Sequence, residues 1–155
     1  MSVSREIKIR VLSNESCLSE FIEKLTTDWL NFKNESDTFL SIPLHDDDDF
    51  DYQTFDDVKV VNDILNKRES EKKINAIGLW DKNYAESFGL LIYTLDNNYA
   101  DFNKHYLLSF TPDNAKRIGG SSRLTDYGYY LNLLVPKIIS MDCYICEVTC
   151  HDFDC

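Results

Sequence analysis

Between Asn34 and Val58 the chain carries nine acidic residues and no lysine or arginine, and seven of the acids are aspartates in "HDDDDFDYQTFDD", residues 45–57. This segment limits the fold more than any other. Aspartate side chains compete with the backbone for hydrogen bonds and sit badly in helix and strand interiors, so the run is expected to form a surface loop between two better-patterned halves. Of the 27 acids in the chain, removing these nine leaves 18 against 16 bases in the other 130 residues. The net charge of −11 is therefore mostly one local feature. Clustered charge of one sign repels itself, weakens the compact state and attracts the opposite sign. Nucleic acid would be repelled by this face, whereas a cationic protein or a metal ion is its natural complement.

On the N-terminal side, "REIKIRVL" alternates Ile7, Ile9 and Val11 with Glu6, Lys8 and Arg10, which predicts a half-buried strand. The period then changes. Leu18, Phe21, Ile22, Leu25, Trp29 and Phe32 share a helical stripe, predicting a helix over residues 16–33 capped by Ser13, Asn14 or Ser16. "DTFLSIPL" reads as a short strand or extended loop ended by Pro43. Past the acidic run, Val58, Val61, Ile64 and Leu65 mark the dry side of a second helix over 55–68, with "KRESEKK" as its solvated basic end.

"INAIGLW" reads as a buried strand, and "SFGLLIYTL" and "KHYLLSFT" as a hairpin around the tip "DNNYADFN". "PDNAKRIGGSSR" is turn material. "LTDYGYYLNLLVPKIISM" predicts a third helix capped by Thr125, with Leu131, Leu134, Val135 and Ile138 on one face and a kink or early stop at Pro136. "CYICEVTC" closes the pattern as a strand. Together these predict an α+β fold with an antiparallel or mixed sheet of about five strands and three packed helices, in a single domain over residues 1–155.

The N-terminal residues carry no apolar core of a signal peptide, and no window approaches the roughly 18 apolar residues of a membrane span. Five cysteines, four of them within the last thirteen residues, suggest reduced thiols in a cytoplasm and not a disulfide framework. No membrane partner is expected.

Read as a calcium loop, the acidic run fails on register: counted from Asp46 its sixth position is Asp51, counted from Asp47 it is Tyr52, and the loop needs glycine there. Cys143, Cys146, Cys150, His151 and Cys155 offer thiols for zinc, but "YI" inside the CxxC is strand-forming where a zinc knuckle needs a turn. Cys17 and the three histidines, His45, His105 and His151, form no recognisable dyad. No catalytic residue, metal or cofactor is expected.

A binding surface fits the composition better. Phe50, Tyr52 and Phe55 are interleaved with Asp46, Asp47, Asp48, Asp49, Asp51, Asp56 and Asp57, and aromatics anchor an interface while carboxylates pair with lysine and arginine across it. The hairpin tip repeats the mixture with Tyr99 and Asp101, which complete the candidate site.

Two family resemblances bear on function. The turn "KRIGGSSR" is similar to the acyl-CoA pyrophosphate loop of GNAT acetyltransferases, with Arg117, Gly120 and Ser122 at the matching places over six residues. That resemblance implies an acyl-CoA-dependent enzyme, the alternative reading. Across the whole chain, the small acidic domain with acid-and-aromatic loops resembles bacterial immunity proteins of polymorphic-toxin and contact-dependent growth inhibition systems. That family implies a non-catalytic cytoplasmic antidote in a one-to-one complex with a cognate toxin, commonly a basic nuclease domain. A further alternative is an acidic nucleic-acid mimic inhibiting a host enzyme, although such mimics spread their charge along a face.

Overall fold

A computed structural model describes residues 3–154. In chain order the elements are β1 (Val3–Ser13), α1 (Leu18–Leu25), β2 (Leu30–Asn31), β3 (Phe39–Ser41), β4 (Gln53–Phe55), α2 (Val58–Ser70), β5 (Asn75–Asp81), β6 (Ser87–Thr94), β7 (Lys104–Pro112), α3 (Tyr127–Ser140) and β8 (Tyr144–Asp154). The class is α+β, and every strand pairing is antiparallel. The sheet has eight strands among the described residues, not about five, in the order β4-β3-β5-β6-β7-β1-β8 with β2 paired to β5. The additional members β2, β3 and β4 are two or three residues long, too short to leave a legible alternation.

β1 lies between β7 and β8 and sends Ile7, Ile9 and Val11, all fully buried, to the core side. Tyr106, Leu108 and Phe110 of β7, Leu90 and Ile92 of β6, and Ile77 and Leu79 of β5 join them in one cluster. All three helices add residues to that same cluster, including Phe21 and Ile22 of α1, Val61 and Leu65 of α2, and Leu134 and Ile138 of α3. They therefore pack on one face of the sheet. The alternate strand positions, among them Lys8, Leu91, Tyr93 and Leu107, point to the other face, where no helix packs among the described residues.

Three expected boundaries are corrected. α1 ends at Leu25 instead of continuing to residue 33. The hydroxyl of Thr26 turns back to the Ile22 carbonyl at 2.8 Å, the Trp29 indole donates to the Leu25 carbonyl at 2.6 Å, and Asp28 takes a φ of 72°. These bonds terminate the helix. Phe32 is still buried, but it reaches the core from the bend that follows β2. α3 is capped by Asp126, not Thr125, and runs through Pro136 to Ser140. α2 begins at Val58 because β4 takes the preceding residues and Asp57 accepts the Lys59 N–H at 2.9 Å; Val58 is exposed.

The "KRESEKK" end of α2 is the largest departure. Arg68 is fully buried and Glu69 nearly so. The Glu69 carboxylate accepts the Leu18 N–H at 3.0 Å and the Tyr106 hydroxyl, with Lys104 at 3.6 Å. Burial and this carboxylate push the Tyr106 hydroxyl far up, so it remains a donor. One buried acid thus ties the start of α1 and β7 to the end of α2.

Candidate partner-binding surface

The acidic segment is wound around its first aspartate. Asp46 is buried, and its carboxylate oxygens accept the N–H groups of Phe50 at 3.2 Å and Asp51 at 3.1 Å. Burial alone would raise its pKa, but those backbone donors and the nearby Arg68 outweigh burial and hold it below the usual carboxylate range. Asp48 and Phe50 adopt left-handed backbone, with φ of 67° and 53°. Asp tolerates that region, whereas an aromatic residue there stays only if its surroundings enforce it.

Arg68 supplies the root of the loop. Its guanidinium donates to the carbonyls of Pro43, Leu44 and Asp46 at 3.3, 3.0 and 2.9 Å, and from two nitrogens to Ile74 at 3.0 and 2.7 Å. A buried charge is tolerable only when its donors are satisfied, and here loop carbonyls satisfy them. Asp46 therefore serves the loop's architecture and is withdrawn from the surface. Asp47, Asp48, Asp49, Asp51 and Asp56 remain exposed, and none of them forms an ion pair among the described residues. Asp57 is exposed too, while capping α2. Phe50 and Phe55 are half-buried, with Phe55 packed against the core, and Tyr52 is exposed.

Tyr52 lines a depression of about 200 Å³ with Leu40, Gly78, Trp80, Gly89 and Asp113 among its walls. Gly78 and Gly89 sit directly opposite each other in the β5–β6 ladder, and Asp113 accepts the Ser87 hydroxyl at the rim. Of this depression, only Tyr52 was expected at the site. A signal did exist: "AIGLW" and "SFGLL" each hold a glycine inside a strand, a mark of close approach or open space above a sheet.

The hairpin tip is organised differently. Asp96 ion-pairs with Lys72, which lowers its pKa. Tyr99 is exposed and stands edge-on to His105, ring centroids 5.5 Å apart. The Asp96 carbonyl lies 2.8 Å from His105 Nδ1 and Arg10 Nη1 lies 3.2 Å from Nε2. A carbonyl can only accept and a guanidinium only donate, so this arrangement makes Nδ1 the donor and Nε2 the acceptor. Asp101 is exposed. The tip and the root of the acidic loop both lie toward the strand ends where β5 begins and β6 finishes, separated by the width of the intervening strands.

The glycine turn closes on itself. Arg117 donates to the Arg123 carbonyl at 2.8 Å and the Thr125 hydroxyl at 2.9 Å, with Asp152 at 3.9 Å. The N-terminus of α3 is occupied by the Asp126 carboxylate, which accepts the Tyr129 N–H at 3.2 Å. An anion-binding helix start presents free N–H groups, and this one presents a carboxylate. Burial raises the thiol pKa of Cys143 and Cys150, which disfavours the thiolate a metal would need. Among the described residues no three His, Cys, Asp or Glu side chains converge on a metal position; Cys155 lies outside them. No helix among the described residues is long and apolar enough to cross a membrane.

Compared with protein-family models, curated proteins and solved structures, the chain matches none.

Proposed function

We propose that this chain is a bacterial immunity protein, a non-catalytic cytoplasmic antidote that binds a cognate cationic toxin domain, a nuclease by preference, in a one-to-one complex. One observation carries the reading: five carboxylates, Asp47, Asp48, Asp49, Asp51 and Asp56, stand exposed without an internal ion pair among the described residues, on a loop whose root is held by buried Arg68. Net like charge destabilises a fold, so an ordered cluster of it calls for a use outside the molecule. A loop already held in shape loses less freedom on binding than a floppy one. Tyr52 beside the carboxylates supplies apolar contact, and the uncovered sheet face continues it.

In this mechanism the carboxylates occupy positions on the toxin that would otherwise hold substrate phosphates. Their field accelerates encounter, and the aromatic contact slows release. The test looks for a toxin domain encoded beside this chain and pairs the two. The double substitution Asp47→Lys with Asp49→Lys is expected to lower the association rate by about a hundredfold at low salt, with the gap narrowing as salt rises. Association as fast as wild type at every salt concentration, or failure of the wild-type chain to protect cells from that toxin, would sink the proposal.

A further inference from the structure

Gly78 and Gly89 face each other across β5 and β6, yet for different reasons. A Cβ on Gly78 would meet Leu40 Cδ2 at 2.9 Å and Trp80 Cη2 at 3.1 Å, so a side chain there would have to push both aside. A Cβ on Gly89 would meet nothing within 4 Å. Glycine weakens a strand, and at Gly89 no internal neighbour explains it. What its missing side chain provides is the open floor of the depression between Trp80, Tyr52 and Asp113. A volume of about 200 Å³ exceeds the roughly 150 Å³ that admits a benzene-sized group.

The chemistry of the walls selects the occupant. Trp80 and Tyr52 offer aromatic surface, and the Asp113 carboxylate is oriented by the Ser87 hydroxyl. Tyr52 is exposed as a residue, but partial desolvation of its hydroxyl and the nearby Asp113 raise its pKa, so it stays a neutral donor. Exposed Asp51 adds negative potential next to Tyr52. Among the described residues Lys116 stacks on Tyr129, and Arg5 donates to the backbone carbonyls of Pro112 and Asp113 at the edge of the depression, leaving the Asp113 carboxylate with the Ser87 hydroxyl. A flat cation that can lie against an aromatic ring and fork onto a carboxylate matches this set better than a compact ammonium.

We propose that the Gly89 depression is a socket for one arginine side chain of the cationic protein partner, with its guanidinium against Trp80 and Tyr52 and directed to Asp113. The identity of the partner rests on the antidote reading; the chemistry of the socket does not.

The test therefore needs no partner. The Trp80 indole resonance is followed by NMR while N-acetyl-arginine amide is added to the whole chain, with the Trp29 indole as internal control. The expected result is a saturable shift at Trp80 alone, with affinity about tenfold above that for the neutral isostere N-acetyl-citrulline amide and clearly above that for N-acetyl-lysine amide. Gly89→Val, whose Cβ meets nothing within 4 Å, is expected to fill the socket and abolish the shift while leaving the urea midpoint unchanged. Asp113→Asn is expected to weaken arginine by about tenfold and leave citrulline unaffected. An unmoved Trp80 resonance, an equal response to citrulline, a preference for lysine, or full binding by folded Gly89→Val would each overturn the socket. A negative titration leaves the antidote reading standing, and failure of toxin protection leaves the titration result standing, so the two fail separately.

Discussion

Two loops of this protein have nearly the same ingredients and opposite electrostatics. In the hairpin tip, Asp96 reaches Lys72 and Tyr99 packs on His105, which Arg10 also contacts. Its leading acid is matched by a cation from the turn after α2. In the acidic segment the order is inverted: the cation, Arg68, is buried and bonded to carbonyl oxygens, and the exposed carboxylates find no base. The same acid-plus-aromatic composition is thus neutralised at Asp96 in one place, with Asp101 left exposed, and displayed in the other. The difference lies in where the chain's bases were used.

The comparison breaks most directly at Arg68. Arg68→Met strands the carbonyls of Pro43, Leu44, Asp46 and Ile74, and unfolding in urea is expected to show a loss on the order of 3–5 kcal/mol, as for other buried charge networks that lose a member. Retained stability would mean that the loop does not depend on its buried root. Gly78→Ala presses a methyl group against Leu40 and the Trp80 ring that border the acidic segment, with an expected loss of about 1–3 kcal/mol by the same measurement.

Asp46 and Asp96 sharpen the contrast through pH and salt. Both pKa values are lowered in the fold, so each acid stabilises fully above its unfolded value of about 3.9 and loses its contribution as pH falls through the lower folded value. Asp46 is held largely by backbone N–H groups, so its titration, read from the amide signals of Phe50 and Asp51, should barely respond to salt. Asp96 is held by exposed Lys72, and its folded-state pKa should rise toward the unfolded value in high salt. The smallest effect is expected for Lys72→Gln, which removes a surface ion pair and should leave the urea midpoint within error.

Strong periodicity was legible in the residues themselves. Ile7, Ile9 and Val11 alternate in the sequence and are buried in the sheet, and the β6–β7 hairpin follows "SFGLLIYTL" and "KHYLLSFT". The apolar stripe through Trp29 and Phe32 correctly marks residues that contact the core, but it overstates the helix, because the Thr26 hydroxyl and the Trp29 indole claim the carbonyls that end it. In the candidate site, the exposed aspartates and Tyr52 were visible as a charge pattern. Trp80 and Asp113 were not, and Gly89 showed only as a glycine inside a strand, since the three come from separate strands and a strand end that only the sheet brings together.

By itself the sequence determined the dry faces of the strongly periodic strands and of α1, where the surplus charge is concentrated and that an acidic loop separates two mixed halves. These are properties of neighbouring residues and their spacing. Only the tertiary structure decided that Asp46 turns inward, that Arg68 is spent on the loop's own carbonyls and that the remaining carboxylates are left unmatched. Composition states how many charges a chain has, but their pairing depends on which distant backbone atoms the fold places within reach of each guanidinium.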